Sequence, residues 1–188
     1  NVALGQSALF SNTTASNNTA VGYQALKDNT TGTNNLALGT KALMDSTTGD
    51  YNTAVGAFAN ENNSTGSSNV SVGRASLNEN TTGSSNVAIG RNALLTNTTA
   101  SNNTAVGYTA GNSNTTGSVT AFGYRAAYSN TTGNTHTAVG YDAMYSNTTG
   151  QDNSAFGGFA LKNNTTGSSN LALGYTALFN NTTASNNT

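Results

Sequence analysis

The stretch NTAVGYQALKDNTTGTN, residues 18–34, is one unit of a repeat that covers essentially the whole chain. Its central glycine marks the period, because the same glycine returns after 17 residues at every step except one, which is 16. The eleven glycines are Gly5, Gly22, Gly39, Gly56, Gly73, Gly90, Gly107, Gly123, Gly140, Gly157 and Gly174. A fixed period of this kind is typical of architectures in which each unit buries its faces against its neighbours.

The residues before each glycine predict a short β-strand. The position directly before the glycine is always Val, Ile, Leu or Phe, and the one before that is Ala ten times and Ser71 once. Aliphatic and β-branched residues favour strands, whose alternate side chains point to opposite faces. We therefore expect the aliphatic column to fill the core of the coil and the Ala column to lie against a neighbouring chain.

The remainder of each unit reads as one short segment followed by turns. A second Ala column and a mostly apolar column follow the glycine, as at Ala25 and Leu26, and fit either another strand, which we favour, or one helical turn. Asn-Thr-Thr-Gly is turn chemistry, because Asn and Gly tolerate left-handed backbone. An Asn then opens the next strand, and Asn side chains stacked about 4.8 Å apart predict a hydrogen-bonded ladder. His136 and Val119 take two places in that ladder.

These columns predict an all-β protein. The expected fold is a parallel β-solenoid (β-roll) of eleven 17-residue coils, in one array over residues 1–188. A solenoid with one strand plus one short helical turn per coil is the alternative. Eleven coils at ~4.8 Å each give a rod roughly 50 Å long. Ala15, Ala100 and Ala184 replace the turn glycine at intervals of 85 and 84 residues, which indicates a superrepeat of five coils. The terminal units show no cap sequence, so we expect the array to continue at both ends.

Composition argues against several classes of function. The net charge is −1 and only 7% of residues are charged, so there is no basic surface for nucleic acid or an anionic membrane. No apolar run approaches the ~20 residues of a membrane span. The chain has no Cys and one His, and its few acids and bases are scattered without a catalytic motif. We therefore predict no enzyme activity, no cofactor and no metal.

The units Asn18–Gly22 and Asn103–Gly107, both NTAVG, carry a family resemblance. They resemble the head repeat of YadA-like trimeric autotransporter adhesins, and the NTAVGYxAL arrays of phage and bacterial tail-fibre proteins. The resemblance covers all eleven units, although 17 residues is longer than the usual head repeat and this stretch contains no stalk or membrane anchor. It implies a left-handed β-roll, side-by-side packing of three chains, an extracellular location and a role as a fibre or adhesin shaft.

Two columns carry candidate binding and modification sites. Tyrosines after the repeat glycine could form an aromatic strip for cell-surface glycans, or could only cover the outer edge of the coil: Tyr23, Tyr108, Tyr124, Tyr141 and Tyr175. Asn-x-Ser/Thr sequons could carry N-linked sugars, or could serve the turns alone: Asn12, Asn29, Asn80, Asn97, Asn114, Asn130, Asn147, Asn164 and Asn181. The alternative functions are accordingly a carbohydrate-binding module or a heavily N-glycosylated filament. A glycan depolymerase would need paired carboxylates on one face, and Asp28 and Asp45 fit solvated turns better.

Overall fold

The computed structural model describes residues 1–188 and is a parallel β-solenoid with no helix. Each repeat contributes one short strand, and all eleven strands lie side by side in sequence order in one sheet. The strands are β1 (Val2–Leu4), β2 (Thr19–Val21), β3 (Leu36–Leu38), β4 (Thr53–Val55), β5 (Val70–Val72), β6 (Val87–Ile89), β7 (Thr104–Val106), β8 (Val119–Phe122), β9 (His136–Val139), β10 (Ser154–Phe156) and β11 (Leu171–Leu173). We call the stretch that begins with strand βn coil n.

The strand register confirms that one repeat makes one coil. Ala20 pairs with Ala37 and Ala37 with Ala54, so each column of the repeat stacks on itself along the rod. At the usual strand spacing, the eleven strands extend over about 50 Å. The predicted all-β solenoid is therefore confirmed, and the alternative with one helical turn per coil is not observed.

The prediction of which strand face points inward was wrong. The middle residue of the strand, such as Ala20 or Ala105, is 0% exposed, whereas the aliphatic residue that follows it lies on the outside. Ile89 and Phe122 are 38% and 41% exposed in the lone chain. The reason is the thinness of the coil. Its interior already holds the Leu that comes from the turn side, and a methyl group is all that the strand can add.

The segment after the repeat glycine is also not the strand that the sequence favoured. It is a run of turns in which alternate residues have positive φ, such as 55° at Gln24 and 51° at Leu26. Its backbone still bonds from coil to coil: the Gln24 N–H donates to the Gln6 carbonyl at 2.9 Å, and the Leu26 N–H to the Ala42 carbonyl at 2.9 Å. These bonds compensate for the left-handed conformation, and the turn places Leu26 in the core at 0% exposure.

Two columns of asparagine are also buried in the interior. In the first, which precedes the strand, the Oδ1 of Asn18 accepts the N–H of Asn35 at 2.9 Å, while its Nδ2 donates to the Gly32 carbonyl at 2.8 Å. In the second, which begins the Asn-Thr-Thr-Gly turn, the Nδ2 of Asn80 donates to the Oδ1 of Asn63 at 2.8 Å and to the Gly83 carbonyl at 2.9 Å. The predicted Asn ladder is thus confirmed, and a second ladder runs beside it.

The one 16-residue repeat is accommodated in a turn without breaking the sheet. The residue directly before the ladder position is Asn102 at φ 63° in one repeat and Thr135 at φ 60° in another, and the repeat between them has no residue at this position. The next residue, Val119, replaces the ladder Asn, is 2% exposed, and extends β8 to four residues. Its N–H still donates to the Oδ1 of Asn103 at 2.7 Å. The replacement of Asn by Val thus costs the ladder one side chain, and the deletion beside it leaves the strand pairing intact.

Ser46 makes a gap in the second ladder that one substitution should close. The Ser46 hydroxyl is too short to bridge the coils, so its Oγ and the Oδ1 of Asn29 are both buried without a partner. Replacing Ser46→Asn should satisfy Asn29 and stabilise the fold by about 1–3 kcal/mol, the usual cost of a buried orphaned polar group. Chemical denaturation of both proteins measures this difference. Asn80→Ser, which opens an equal gap elsewhere, should destabilise, and a Ser46→Asn variant no more stable than the parent would contradict the account.

Candidate functional site

The outer face of the sheet is the most extensive candidate surface. It consists of the residues on either side of the strand alanine. The first column is Val2, Thr19, Leu36, Thr53, Val70, Val87, Thr104, Thr120, Thr137, Ser154 and Leu171. The second column is Leu4, Val21, Leu38, Val55, Val72, Ile89, Val106, Phe122, Val139, Phe156 and Leu173. Neither column contains a charged residue, and the second is apolar in every coil.

This outer sheet face is large enough to act as an interaction surface. Strands of three residues stacked over eleven coils give a projected strip of about 500 Å². Six residues of the first column are Thr or Ser, but the second column is a continuous apolar line along the rod, and an exposed apolar surface of this kind often marks a place where another molecule binds. The side chains are half-buried by one another, as the 38% and 41% exposure of Ile89 and Phe122 shows, so the strip is smooth and offers no deep pocket.

The tyrosine column lies on a different part of the surface, and its rings cover one another. The ring centroids of Tyr108 and Tyr124 are 5.3 Å apart, those of Tyr124 and Tyr141 are 4.9 Å apart, and both pairs are within 10° of parallel. A sugar packs on the face of an aromatic ring. In this stack the faces are occupied by neighbouring rings, which favours the reading that the tyrosines cover the coil. Tyr23, in coil 2, has no ring partner, and Tyr175 has one ring partner, Phe159, which is nearly perpendicular to it at 5.6 Å between centroids.

An ionic cluster extends the aromatic column and ties three coils together. Asp142 accepts two hydrogen bonds from Arg125, at 2.8 and 2.7 Å, and its Oδ2 lies 3.1 Å from the Nζ of Lys162. The Arg125 guanidinium also lies over the rings of Tyr124 and Tyr145, at 5.0 and 4.8 Å from their centroids. The Asp142 hydrogen bond raises the pKa of Arg125 above its already high usual value. Arg125 and Lys162 are therefore both paired within the chain, and the cluster links coils 8, 9 and 10.

Most of the sequon asparagines form the second ladder and are inside the fold. Seven are 0% exposed: Asn29, Asn80, Asn97, Asn114, Asn130, Asn147 and Asn164. Asn12 and Asn181, in the first and last coils, are partly exposed. In Asn147, for example, Nδ2 donates to the Oδ1 of Asn130 at 3.0 Å. A sugar on such a nitrogen would replace a hydrogen that the ladder uses and would have no path to solvent in the folded coil.

His136 substitutes for an asparagine in the first ladder. Its Nδ1 accepts the N–H of Asn153 at 3.3 Å, its Nε2 lies 3.1 Å from the Nδ2 of Asn147, and the residue is 2% exposed. Burial lowers the pKa of His136 because the imidazolium loses its hydration. The side chain is thus a neutral member of the ladder, a role that its position in the sequence predicted.

Acid should weaken the fold through this histidine. Since the pKa of His136 is lower folded than unfolded, the unfolded chain binds the proton better. The stability is therefore complete above the unfolded pKa of about 6.5 and falls as the pH drops below it, by at most about 1.4 kcal/mol per pH unit. Unfolding curves at several pH values measure this slope. His136→Asn restores the repeat residue and should lose that part of the slope, and an unchanged slope in the variant would refute the assignment.

Other features that could mark a site are few. The one cavity, about 320 Å³, is the open end of the last coil, lined by Leu171, Ala172, Leu173, Ala177, Leu178 and Thr188. No group of three or more His, Cys, Asp or Glu residues is placed to hold a metal ion. The structure contains no helix of the length and apolarity that crossing a membrane requires. Comparison of the chain with models of protein families, with curated proteins and with solved structures found no match.

Proposed function

We propose that this chain is a structural rod, the shaft of an extracellular fibre, adhesin or tail fibre, in which identical chains pack side by side through the outer sheet face. The observation that carries the proposal is the uncharged, largely apolar strip that runs the length of the sheet on the outside of the coil. The sequence resemblance supports three chains as the number and the extracellular space as the location.

A second copy of this chain is the partner that the strip fits best. The strip repeats its apolar residues at every coil, so a surface with the same axial spacing matches it along its whole length. Another solenoid of the same rise provides that spacing along its whole length. Around a threefold axis each chain would cover parts of two neighbours, and burial at about 25 cal/mol per Å² would favour assembly.

The proposed role is mechanical rather than catalytic. The interior is fully used by two Ala columns, a Leu column and two Asn ladders. Of the 13 charged residues, seven are in ion pairs, including the three of the cluster around Asp142. Backbone hydrogen bonds connect each coil to the next over the whole chain. Such a rod supplies reach and stiffness along its axis.

The molar mass in solution tests the proposal. Sedimentation equilibrium should give three times the chain mass of 18.9 kDa. Replacing Ile89→Asp together with Phe122→Asp puts two charges on the outer sheet face and should yield monomers that keep the β-sheet circular dichroism signal. Asn102→Asp with Asn134→Asp adds the same charge on exposed turns and should leave the assembly intact. A parent protein that is monomeric at all concentrations would overturn the proposal, as would an assembly that survives the first pair of substitutions.

A further inference from the structure

Three departures from the core pattern fall together in coils 4 and 5. Asn60 lies in the column that elsewhere holds Leu, Met, Ala or Gly, and Ser71 and Ser76 are the only residues other than Ala in their two columns. All three are 0% exposed. No other pair of adjacent coils places a polar side chain in each of these three core columns.

This polar junction, Asn60 with Ser71 and Ser76, divides the apolar core. One cluster of buried apolar residues extends from Leu9 to Ala59, and the other from Leu77 to Ala172. The two serines satisfy their hydroxyls locally, since Ser71 donates to the Thr53 carbonyl at 3.3 Å and Ser76 donates to the Gly73 carbonyl at 3.0 Å.

The Asn60 amide has no such partner. Both its Nδ2 and its Oδ1 are buried and unbonded. The stack of the repeat places Asn60 between Leu43 and Leu77 in its column, and neither of these side chains has a polar atom to offer. The hydroxyls of Ser71 and Ser76 bond instead to backbone carbonyls. A buried amide in this state costs free energy that it recovers as soon as water reaches it.

We infer that the polar junction is the place where the solenoid opens first, so that the rod consists of two cooperative blocks, coils 1–4 and coils 5–11. In a repeat protein the stability is the sum of the coils and of the contacts between neighbours, and the weakest contact sets where opening begins. The contact between coils 4 and 5 has lost apolar area and gained an unsatisfied amide. Separation there hydrates both unbonded polar atoms of the Asn60 amide, which lowers the cost of opening at this position more than at any other contact between coils.

The nearby ladder gap adds to the weakness on the same side of the junction. Of the five buried side-chain atoms without a partner, the Oδ1 of Asn29, the Oγ of Ser46 and the two atoms of Asn60 lie in coils 2–4, and only the Oγ of Thr109 lies elsewhere. A rod with one defined opening point yields there under load, and exposes backbone there to proteases, while the remaining coils stay folded.

Hydrogen exchange measured by mass spectrometry under native conditions tests the inference. Amides between residues 60 and 77, including the Asn60 N–H that donates to the Ser76 carbonyl at 2.8 Å, should exchange about tenfold faster than the matching amides of coils 6–10. A repaired protein with Asn60→Leu, Ser71→Ala and Ser76→Ala should lose this difference. Equal exchange in the parent across coils 4–10, or fast exchange that survives the repair, would overturn the inference.

A matched transplant separates the junction from the position along the rod. Leu94→Asn with Ala105→Ser and Ala110→Ser builds the same three residues into coils 6 and 7. In the repaired background this variant should move the fast-exchanging segment to residues 94–111. A folded transplant whose fast segment stays between residues 60 and 77 would contradict the inference. If the transplant does not fold, the comparison of parent and repaired protein decides alone.

Discussion

Replacing Gly140 by Ala should prevent coil 9 from stacking on coil 10, and should be among the most damaging single substitutions in the chain. Gly140 has φ 138°, a conformation that residues with a side chain rarely adopt. A Cβ there would lie 2.5 Å from the carbonyl oxygen of Gly157 and 2.6 Å from its carbon. These atoms belong to the backbone of coil 10, which cannot move away without breaking the backbone hydrogen bonds between the two coils. We expect a loss of at least about 4 kcal/mol, which belongs to the severe end of point substitutions.

Gly111→Ala provides the control, because Gly111 also has a positive φ but has no backbone close to the position of a Cβ. Its φ of 58° lies close to the 49° of Leu94 at the same position of the preceding coil. A Cβ on Gly111 would meet the end of the flexible Leu94 side chain at 3.0 Å, and otherwise only atoms at 3.6 Å. Thermal unfolding should show a loss of about 1–2 kcal/mol for Gly111→Ala, the usual cost of a left-handed residue with a Cβ and well below that of Gly140→Ala. Equal effects of the two substitutions would refute the close-approach explanation of the glycine column.

The period of the repeat made most of the fold predictable. Each repeat has a glycine after 17 residues, a strand before that glycine and an Asn before the strand. This regularity predicts that equivalent residues stack in register, and the strand pairing and the Asn ladder are consequences of that stacking. These features depend on identity between coils, and such identity is visible in a sequence. The Asn60 amide was visible in the same way, as an exception in an apolar column, but only its burial shows that it has no partner.

The orientation of the strand could not be read in the same way. Ala20 and Val21 point to opposite faces of the strand. Because both residues are apolar, the sequence fits a strand with Ala20 in the core equally well as one with Val21 in the core. The width of the coil decides, and that width depends on the turn that carries Leu26. Leu at φ 51° contradicts local preference, so propensity alone rejects the turn that the structure adopts. Bonds between coils stabilise it, and a single repeat read by itself does not contain them.

The candidate site columns show a related limit. The sequons of Asn29 and Asn80 have the same sequence as glycosylation sites on a protein surface. Only the burial of the two side chains in the structure shows that they are ladder residues. Tyr108 and Tyr124 follow the same glycine in adjacent coils, which made a strip of rings predictable. Whether the faces of the rings point to solvent or to one another depends on side-chain rotamers, for which the column gives no signal.

Ala105→Leu should disrupt the coil itself, the opposite of the effect expected if this column lay between chains. Ala105 is 0% exposed and is paired in the sheet with Ala88 on one side and Ala121 on the other. A leucine has no room there, because its three additional carbons would point into a core already occupied by Leu94 of coil 6. Overpacking of this kind typically costs about 1–3 kcal/mol. The alanines on both sides have methyl groups that cannot turn away, so the upper end of that range is expected.

Val106→Leu is the control, because it enlarges the next residue on the outer face, where Leu38 is the natural residue of coil 3. It should leave thermal unfolding of the coil unchanged within about 0.5 kcal/mol. Circular dichroism measures the melting temperature of each variant, and sedimentation at a temperature where both are folded measures their assembly. Ala105→Leu should lower the melting temperature at every protein concentration, including those at which the chains are dissociated. A variant that melts like the parent as a monomer but fails to assemble would return the Ala column to the interface, and would overturn the inward assignment of Ala105.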